Sequence, residues 1–218
     1  VTRWWGGVLR LRVSVENAAT AAAIGELQFG HGLRSPSFFY ILISAALGGA
    51  LVIEGNSFRG ADGRSGEIGF LPLRSRRTEA RSLQEAVSLS ALYEQLAAAG
   101  FKVSRPEHLD ALKEEGQEIV SEWIDASADF LTDPLLAVSC LVNPKAVFIG
   151  GRLPAELVDR LAERLNQRLR KRAGDVPAIA PVLRAAMASD APAIGAAILP
   201  LNDRLLPSRT ALMKVSHE

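Results

Sequence analysis

Cysteine is nearly absent from this chain: Cys140 stands alone among 218 residues, so no disulfide can form within it. Its setting, the apolar run Leu135 to Val142, predicts a buried and inert thiol. Long apolar runs are missing too. No stretch reaches the roughly 18 uninterrupted residues that a membrane span needs. The opening, Val1 to Gly7, lacks the charged and apolar regions of a signal peptide, so a cytoplasmic location is expected. An excess of charge is also lacking. Twenty-five basic against 24 acidic residues leave a formal net charge of +1, which points to neither a nucleic-acid groove nor an anionic membrane surface. Aromatic residues make up 6% of the chain while apolar residues make up 48%, enough at this length to bury the core of one domain.

What is present is an alternation of short strands and helices. From Arg10, the residues Leu11, Val13 and Val15 alternate as a strand does, and Asn17 is placed to cap an alanine-rich helix from Ala18 to Phe29. A turn follows at Gly30-His31-Gly32. Phe38–Ile43 and Ala50–Ile53 have strand length, interrupted by Gly48-Gly49, and Gly55-Asn56 has the composition of a hairpin turn. The stretch Arg59 to Gly69 holds too many glycines for a regular element and reads as a structured loop. Helices are predicted over Ser82–Ala99, with Gly100 as the stop, over Pro106–Glu115, and from Glu118 onward, with Pro134 kinking or restarting the last. A strand at Ala146–Ile149 leads through Gly150-Gly151 into a helix with Pro154 in its first turn. Leu153, Leu157, Leu161, Leu165 and Leu169 give that helix one apolar face, and Arg168 to Arg172 a basic end that suits a helix C-terminus. A strand near Ala180–Leu183 and a helix near Ala191–Leu201 close the pattern, with no linker or internal repeat.

Val15-Glu16-Asn17, Gly48-Gly49, the run Gly60 to Gly69 with its Gly66-Glu67-Ile68-Gly69, and Asn143-Pro144 before Val147-Phe148-Ile149-Gly150-Gly151 form an ordered set. This set resembles the ROK family, which joins bacterial sugar kinases and transcriptional regulators. The resemblance runs from Val13 over nearly the whole chain. It implies an α/β, actin-like ATPase (ribonuclease H-like) fold, with residues 1–218 forming mainly the C-terminal lobe. The N-terminal lobe, with its Asp-x-Gly-x-Thr turn, and any helix-turn-helix are expected to lie outside this chain, because only a dozen residues precede Val13.

The chain departs from the family pattern where chemistry is concentrated. The position of the family's general-base aspartate, directly after Asn17, is Ala18, and a methyl group accepts no proton. The glycine-threonine-glycine phosphate loop falls on Ser44-Ala45-Ala46, where side chains replace bare backbone. The histidine of the family's zinc site falls on Phe70, and Leu71 to Leu83 contains no cysteine. Arg152 replaces the third glycine of the nucleotide-side turn. We therefore expect no catalytic residue, no cofactor and no metal. A sugar is expected to be held by Asn17, Glu67 and Gln84, the last standing where the family usually has glutamate.

These observations favour a catalytically inactive, sugar-sensing effector domain of a ROK-type regulator, assembled as a homodimer and reaching DNA only through a segment outside this chain. Two alternatives stay open. One is an active ROK kinase acting on a hexose or N-acetylhexosamine, and the other is a dimerisation module built on the Leu153 to Leu169 face or on the β-meander.

Overall fold

The structure, a computed structural model, describes residues 4, 7–8, 10–11, 13–187 and 190–205. Helix α1 (Ala18–Phe29) precedes a hairpin of β1 (Phe38–Ile43) and β2 (Leu47–Ile53), extended by β3 (Asn56–Phe58). After the glycine loop come α2 (Leu83–Ala86), α3 (Leu89–Ala98) and α4 (Glu114–Val142). A second βα unit follows as β4 (Ala146–Gly151) and α5 (Ala155–Arg172), then β5 (Val182–Arg184) and α6 (Ala191–Leu205). The sheet order is β3-β2-β1-β4-β5, antiparallel through the hairpin and parallel from β1 to β4 to β5.

β1 is buried along its whole length, and its side chains divide between two cores as the twofold strand period requires. Phe39, Ile41 and Ile43 face a large core made with α2, α3, α4 and α5, where Trp123, Leu131, Leu161 and Leu165 are wholly enclosed. Phe38, Tyr40 and Leu42 face a smaller core under α1 and the start of α6. Burying each such large apolar side chain contributes about 1.5–3 kcal/mol, so this three-layer arrangement carries most of the stability.

Several expectations change in three dimensions. Residues 13–17 pair with no strand among the described residues, and Val15 is 56% exposed, because alternation without a neighbouring strand leaves backbone groups unpaired. Gly48-Gly49 lies inside β2 and does not interrupt it. The hairpin turn is Glu54-Gly55, both left-handed with φ of 50° and 75°, one residue earlier than Gly55-Asn56. Asn56 instead closes that turn, its Nδ2 donating to the Glu54 carbonyl at 2.9 Å.

The expected helix over 106–115 shrinks to a 3-10 turn at Pro106–His108, and the long helix starts at Glu114, where Glu114 and Glu115 suit the positive N-terminal end. It runs unbroken through Pro134, since Leu131 and Leu135 are both buried and outweigh the local penalty of about 3 kcal/mol for an interior proline. The predicted Ser82–Ala99 helix is split at Val87-Ser88, where the Ser88 hydroxyl caps α3. The strand expected near Ala180–Leu183 begins only at Val182. Cys140 is exposed, because it lies on the outer side of α4 while its neighbour Ser139 faces inward.

α1 and α6 cross at small residues, so close that a Cβ built on Gly195 would collide with the Ala21 carbonyl oxygen. Replacing Gly195 by alanine should lower stability by about 1–3 kcal/mol, although alanine is intrinsically the better helix former by about 1 kcal/mol. Urea denaturation of the two proteins measures this, with a fall in midpoint as the expected result.

Candidate functional site

The N-terminus of α1 and the glycine loop meet at one place. Asn17 caps α1, its Oδ1 accepting from the Ala19 N–H at 2.8 Å, and its Nδ2 donates to Glu67 Oε1 at 3.2 Å. One side chain therefore fixes the helix start and orients a carboxylate. Glu67 is half-buried, and its Oε2 has no hydrogen-bond partner among the described residues. Beside the pair, Glu16 accepts from the Asn17 N–H at 3.0 Å and is bridged by Arg59 at 2.8 Å.

Glu67 is held there by backbone contact. Gly66 has φ of 85°, and a Cβ on it would come within 2.8 Å of the Gly49 carbonyl oxygen and 2.9 Å of Ala50. A Cβ on Gly49 would in turn collide with the Gly66 carbonyl oxygen. The loop thus lies directly on β2, with Ile68 sealed into the main core behind it.

Gln84 is placed differently. It sits on α2, which Trp123 ties to α4 by donating from Nε1 to the Ala86 carbonyl at 2.9 Å. Its Cβ lies 3.3 Å from the position a Cβ would take on Gly69, two residues beyond Glu67. It opens on a cavity of about 640 Å³ shared with Ala45, Ala46, Glu79 and Glu94. No hydrogen bond joins it to Asn17 or Glu67 among the described residues. Asn17 and Glu67 are brought together; Gln84 lines the neighbouring space.

Ala18 occupies the first position of α1, exposed next to this pair, and offers no carboxylate. The β1–β2 turn is closed on itself: the Ser44 N–H and hydroxyl both donate to the Ala46 carbonyl, at 2.9 and 3.2 Å, so neither is turned outward as a phosphate donor. Ala45 and Ala46 are exposed. A zinc ion of the family's kind does not fit here, since Phe70 and Leu71 to Leu83 supply no thiolate or imidazole.

A second cavity, about 710 Å³, opens at the carboxyl ends of β4 and β5 and is lined by Gly150, Gly151, Arg152, Arg184, Ala186 and Met187 among others. Its glycine pair has a packing reason of its own. A Cβ on Gly150 would collide with the Tyr40 hydroxyl, and one on Gly151 with the Ile43 carbonyl. That hydroxyl is buried without a hydrogen-bond partner, and burial first, then the Glu26 carboxylate, raises the Tyr40 pKa well above the ordinary tyrosine value.

Glu26 escaped the sequence reading. It is fully buried in α1 and accepts from three backbone N–H groups: His31 at 2.9 Å and, across the fold, Ala186 at 3.0 Å and Met187 at 2.9 Å. It therefore pins the wall of the larger cavity to the helix whose other end bears Asn17. The signal lay in helical spacing, because Ala19, Ala22, Ala23 and Glu26 share the inward side of a helix counted from its Asn17 cap.

The basic end of α5 is partly neutralised. Asp125, Asp129 and Asp133 of α4 pair with Arg164, Arg168 and Arg172, the closest contact being Arg168 to Asp129 at 2.6 Å. The leucine stripe of the same helix is core, with Leu153 through Leu169 buried, so it is not a subunit-facing surface. No helix among the described residues is long and apolar enough to cross a membrane.

The sequence profile of the ROK family matches residues 8–202. An uncharacterised protein of Sinorhizobium fredii is 32% identical over 189 residues, covering 85% of this chain and 46% of that protein. The xylose repressor of Lactiplantibacillus pentosus is 25% identical, covering 69% of this chain and 39% of the repressor. The chain spans less than half the length of these relatives. Among solved structures, a ROK glucokinase from Streptomyces griseus in complex with glucose and AMPPNP superposes with a TM-score of 0.74 at 22% identity, covering 91% of this chain and 71% of the kinase. The shared fold is the actin-like α/β fold of sugar kinases.

Glu26→Ala should destabilise the fold by about 3 kcal/mol or more, because three backbone N–H groups lose the buried carboxylate that accepts from them; thermal unfolding measures it. Tyr40 gives a pH prediction. A tyrosine whose folded pKa is raised contributes stability that is intact below the unfolded value of about 10 and is lost as pH climbs above it. Denaturation midpoints followed from pH 8 to 11 should fall at the alkaline end. Tyr40→Phe should shrink that fall and leave stability at pH 7 equal or slightly higher, since an unpaired buried hydroxyl disappears.

Proposed function

The chain belongs to the ROK family, and within that family we propose that it is the sugar-sensing effector domain of a transcriptional regulator that does not turn its ligand over. The observation that carries this reading is the pairing of Asn17 with Glu67 at 3.2 Å beside an alanine. Hydroxyl-binding groups are kept and oriented while the place of a general base holds a methyl group. Glu67 offers a carboxylate oxygen to a ligand hydroxyl, and hydrogen bonds to charged groups contribute about 1.5–3 kcal/mol each. The self-closed Ser44–Ala46 turn adds that phosphate transfer lacks its backbone cradle on this side of the cleft.

Similarity to a xylose repressor supports the regulatory half of the proposal. In this reading the domain acts as a homodimer, and DNA is contacted by another part of the whole protein, because the net charge of this chain is only +1 and three arginines of α5, Arg164, Arg168 and Arg172, are already paired with aspartates. The kinase reading draws on the fold shared with glucokinase. It requires a base in place of Ala18 from outside this chain, at a distance suited to proton transfer.

Calorimetry across hexoses, pentoses and N-acetylhexosamines should find a neutral sugar that binds the wild-type protein and binds Glu67→Ala at least about tenfold more weakly. A coupled ATPase assay with that sugar should show no turnover. Sugar-dependent turnover abolished by a substitution in this chain would favour the kinase, and equal binding by wild type and Glu67→Ala would remove the pocket assignment.

A further inference from the structure

The stretch Leu71 to Leu83, which holds no cysteine, holds Arg74, Arg76, Arg77 and Arg81 against the single carboxylate of Glu79. In a chain with a formal net charge of +1, this is a local concentration of positive charge. The segment is a closed loop. Pro72 bridges Ser82, the Leu73 N–H donates to the Arg81 carbonyl at 2.9 Å, and the Leu83 N–H donates to the Leu71 carbonyl at 3.0 Å. Leu73 and Ala80 pack against the main core, while the four arginines are exposed.

Those arginines are not equivalent. Arg77 reaches Asp129 of α4 at 2.8 Å. Arg81 stands beside Glu85, whose carboxylate accepts from the Arg81 N–H at 2.8 Å and from the Ser82 hydroxyl at 2.9 Å. The guanidinium groups of Arg74 and Arg76 have no hydrogen-bond or ion-pair partner among the described residues. Both line a hollow of about 490 Å³ with Ser75, Thr78, Glu79 and Arg81. The Ser75 hydroxyl accepts from the Arg77 N–H and the Thr78 hydroxyl from the Ala80 N–H, each at 3.1 Å. These bonds fix the two oxygens and leave each hydroxyl proton free to donate.

We propose that this loop is an anion site, separate from the Asn17–Glu67 pair, which takes the phosphate group of a small phosphate monoester or of free phosphate. Guanidinium forks match phosphate oxygens two at a time, and the hydroxyls supply the further donors that a tetrahedral oxyanion uses. A polyanion fits poorly, because carboxylates bound the hollow on two sides. Beyond Arg77 lies Asp129, and Thr78 and Glu79 are shared with the 640 Å³ cavity, where Glu85 and Glu94 stand. A nucleic-acid strand running past the hollow would meet negative charge, whereas a compact anion would not. The assignment is independent of the sugar reading above.

Calorimetry on the whole chain, at about 0.15 M salt to screen loose surface attraction, is the test, with inorganic phosphate, glycerol 3-phosphate and glycerol as probes. Wild type should bind one phosphate or one glycerol 3-phosphate per chain and no glycerol; equal affinity for the two anions identifies the free ion as sufficient, and tighter binding of the ester identifies an organic phosphate. Arg74→Ala/Arg76→Ala should weaken binding by about tenfold or more with an unchanged unfolding midpoint, while Arg170→Ala, at the basic end of α5, should leave it unchanged. Arg74→Lys/Arg76→Lys keeps the charge but loses the forks, and should bind about fivefold more weakly than wild type. If the lysine variant matches wild type, bulk charge accounts for the binding and the site is refuted. No binding of either anion by wild type also overturns it, as does binding of a short duplex DNA that needs Arg74 and Arg76 when neither small anion binds.

Discussion

Two backbones touch at Gly49 and Gly66, and the placement of the site depends on that contact. With no side chain between them, the loop lies directly on β2, Ile68 reaches the main core, and Glu67 arrives at the cap of α1. A methyl group at either glycine would force the loop away from the sheet and separate Glu67 from Asn17. The same contact fixes where the 3-10 turn Ile68–Phe70 starts, since Glu67 is the residue just before it.

Packing within the domain is by itself enough to account for the glycines of these motifs. Gly49, Gly66, Gly150 and Gly151 are each required by neighbouring atoms of this same domain: a carbonyl, the Tyr40 hydroxyl, or the end of β1. The fold needs them whether or not a nucleotide binds. The positions where glycine would serve a phosphate alone are under no such constraint, and there the chain has Ala45 and Ala46, both exposed. Likewise Asn17 is needed to start α1, but nothing in the packing demands a carboxylate at Ala18.

The energetic hierarchy is equally uneven. The α4–α5 aspartate–arginine ladder is conspicuous but solvent-exposed, and such pairs contribute about 0–1 kcal/mol each. The two cores divided by β1 outweigh it. On the side of the smaller core, Glu26 is the polar link of consequence, because its carboxylate joins α1 to the Ala186–Met187 segment and so relates the wall of the larger cavity to the helix that starts at Asn17.

Local rules were enough for the elements whose pattern and end signals agree: the Asn17 cap with α1, β1, β4, and the leucine face of α5 all stand where periodicity and capping put them. The pairing of Asn17 with Glu67, 50 residues apart, followed from the family resemblance and not from any local pattern. Packing decided the rest. Whether Val13 and Val15 form a strand depends on a neighbour to bond with, whether Pro134 breaks a helix depends on Leu131 and Leu135 anchoring both sides, and whether Cys140 is buried depends on which side of α4 meets the sheet. Glu26 and Phe70 are the clearest cases. A glutamate in an alanine helix and a phenylalanine after a glycine give opposite expectations of exposure, and only the backbone N–H groups brought to Glu26 from residues 186 and 187, and the core already filled by Ile68 beneath Phe70, reverse them.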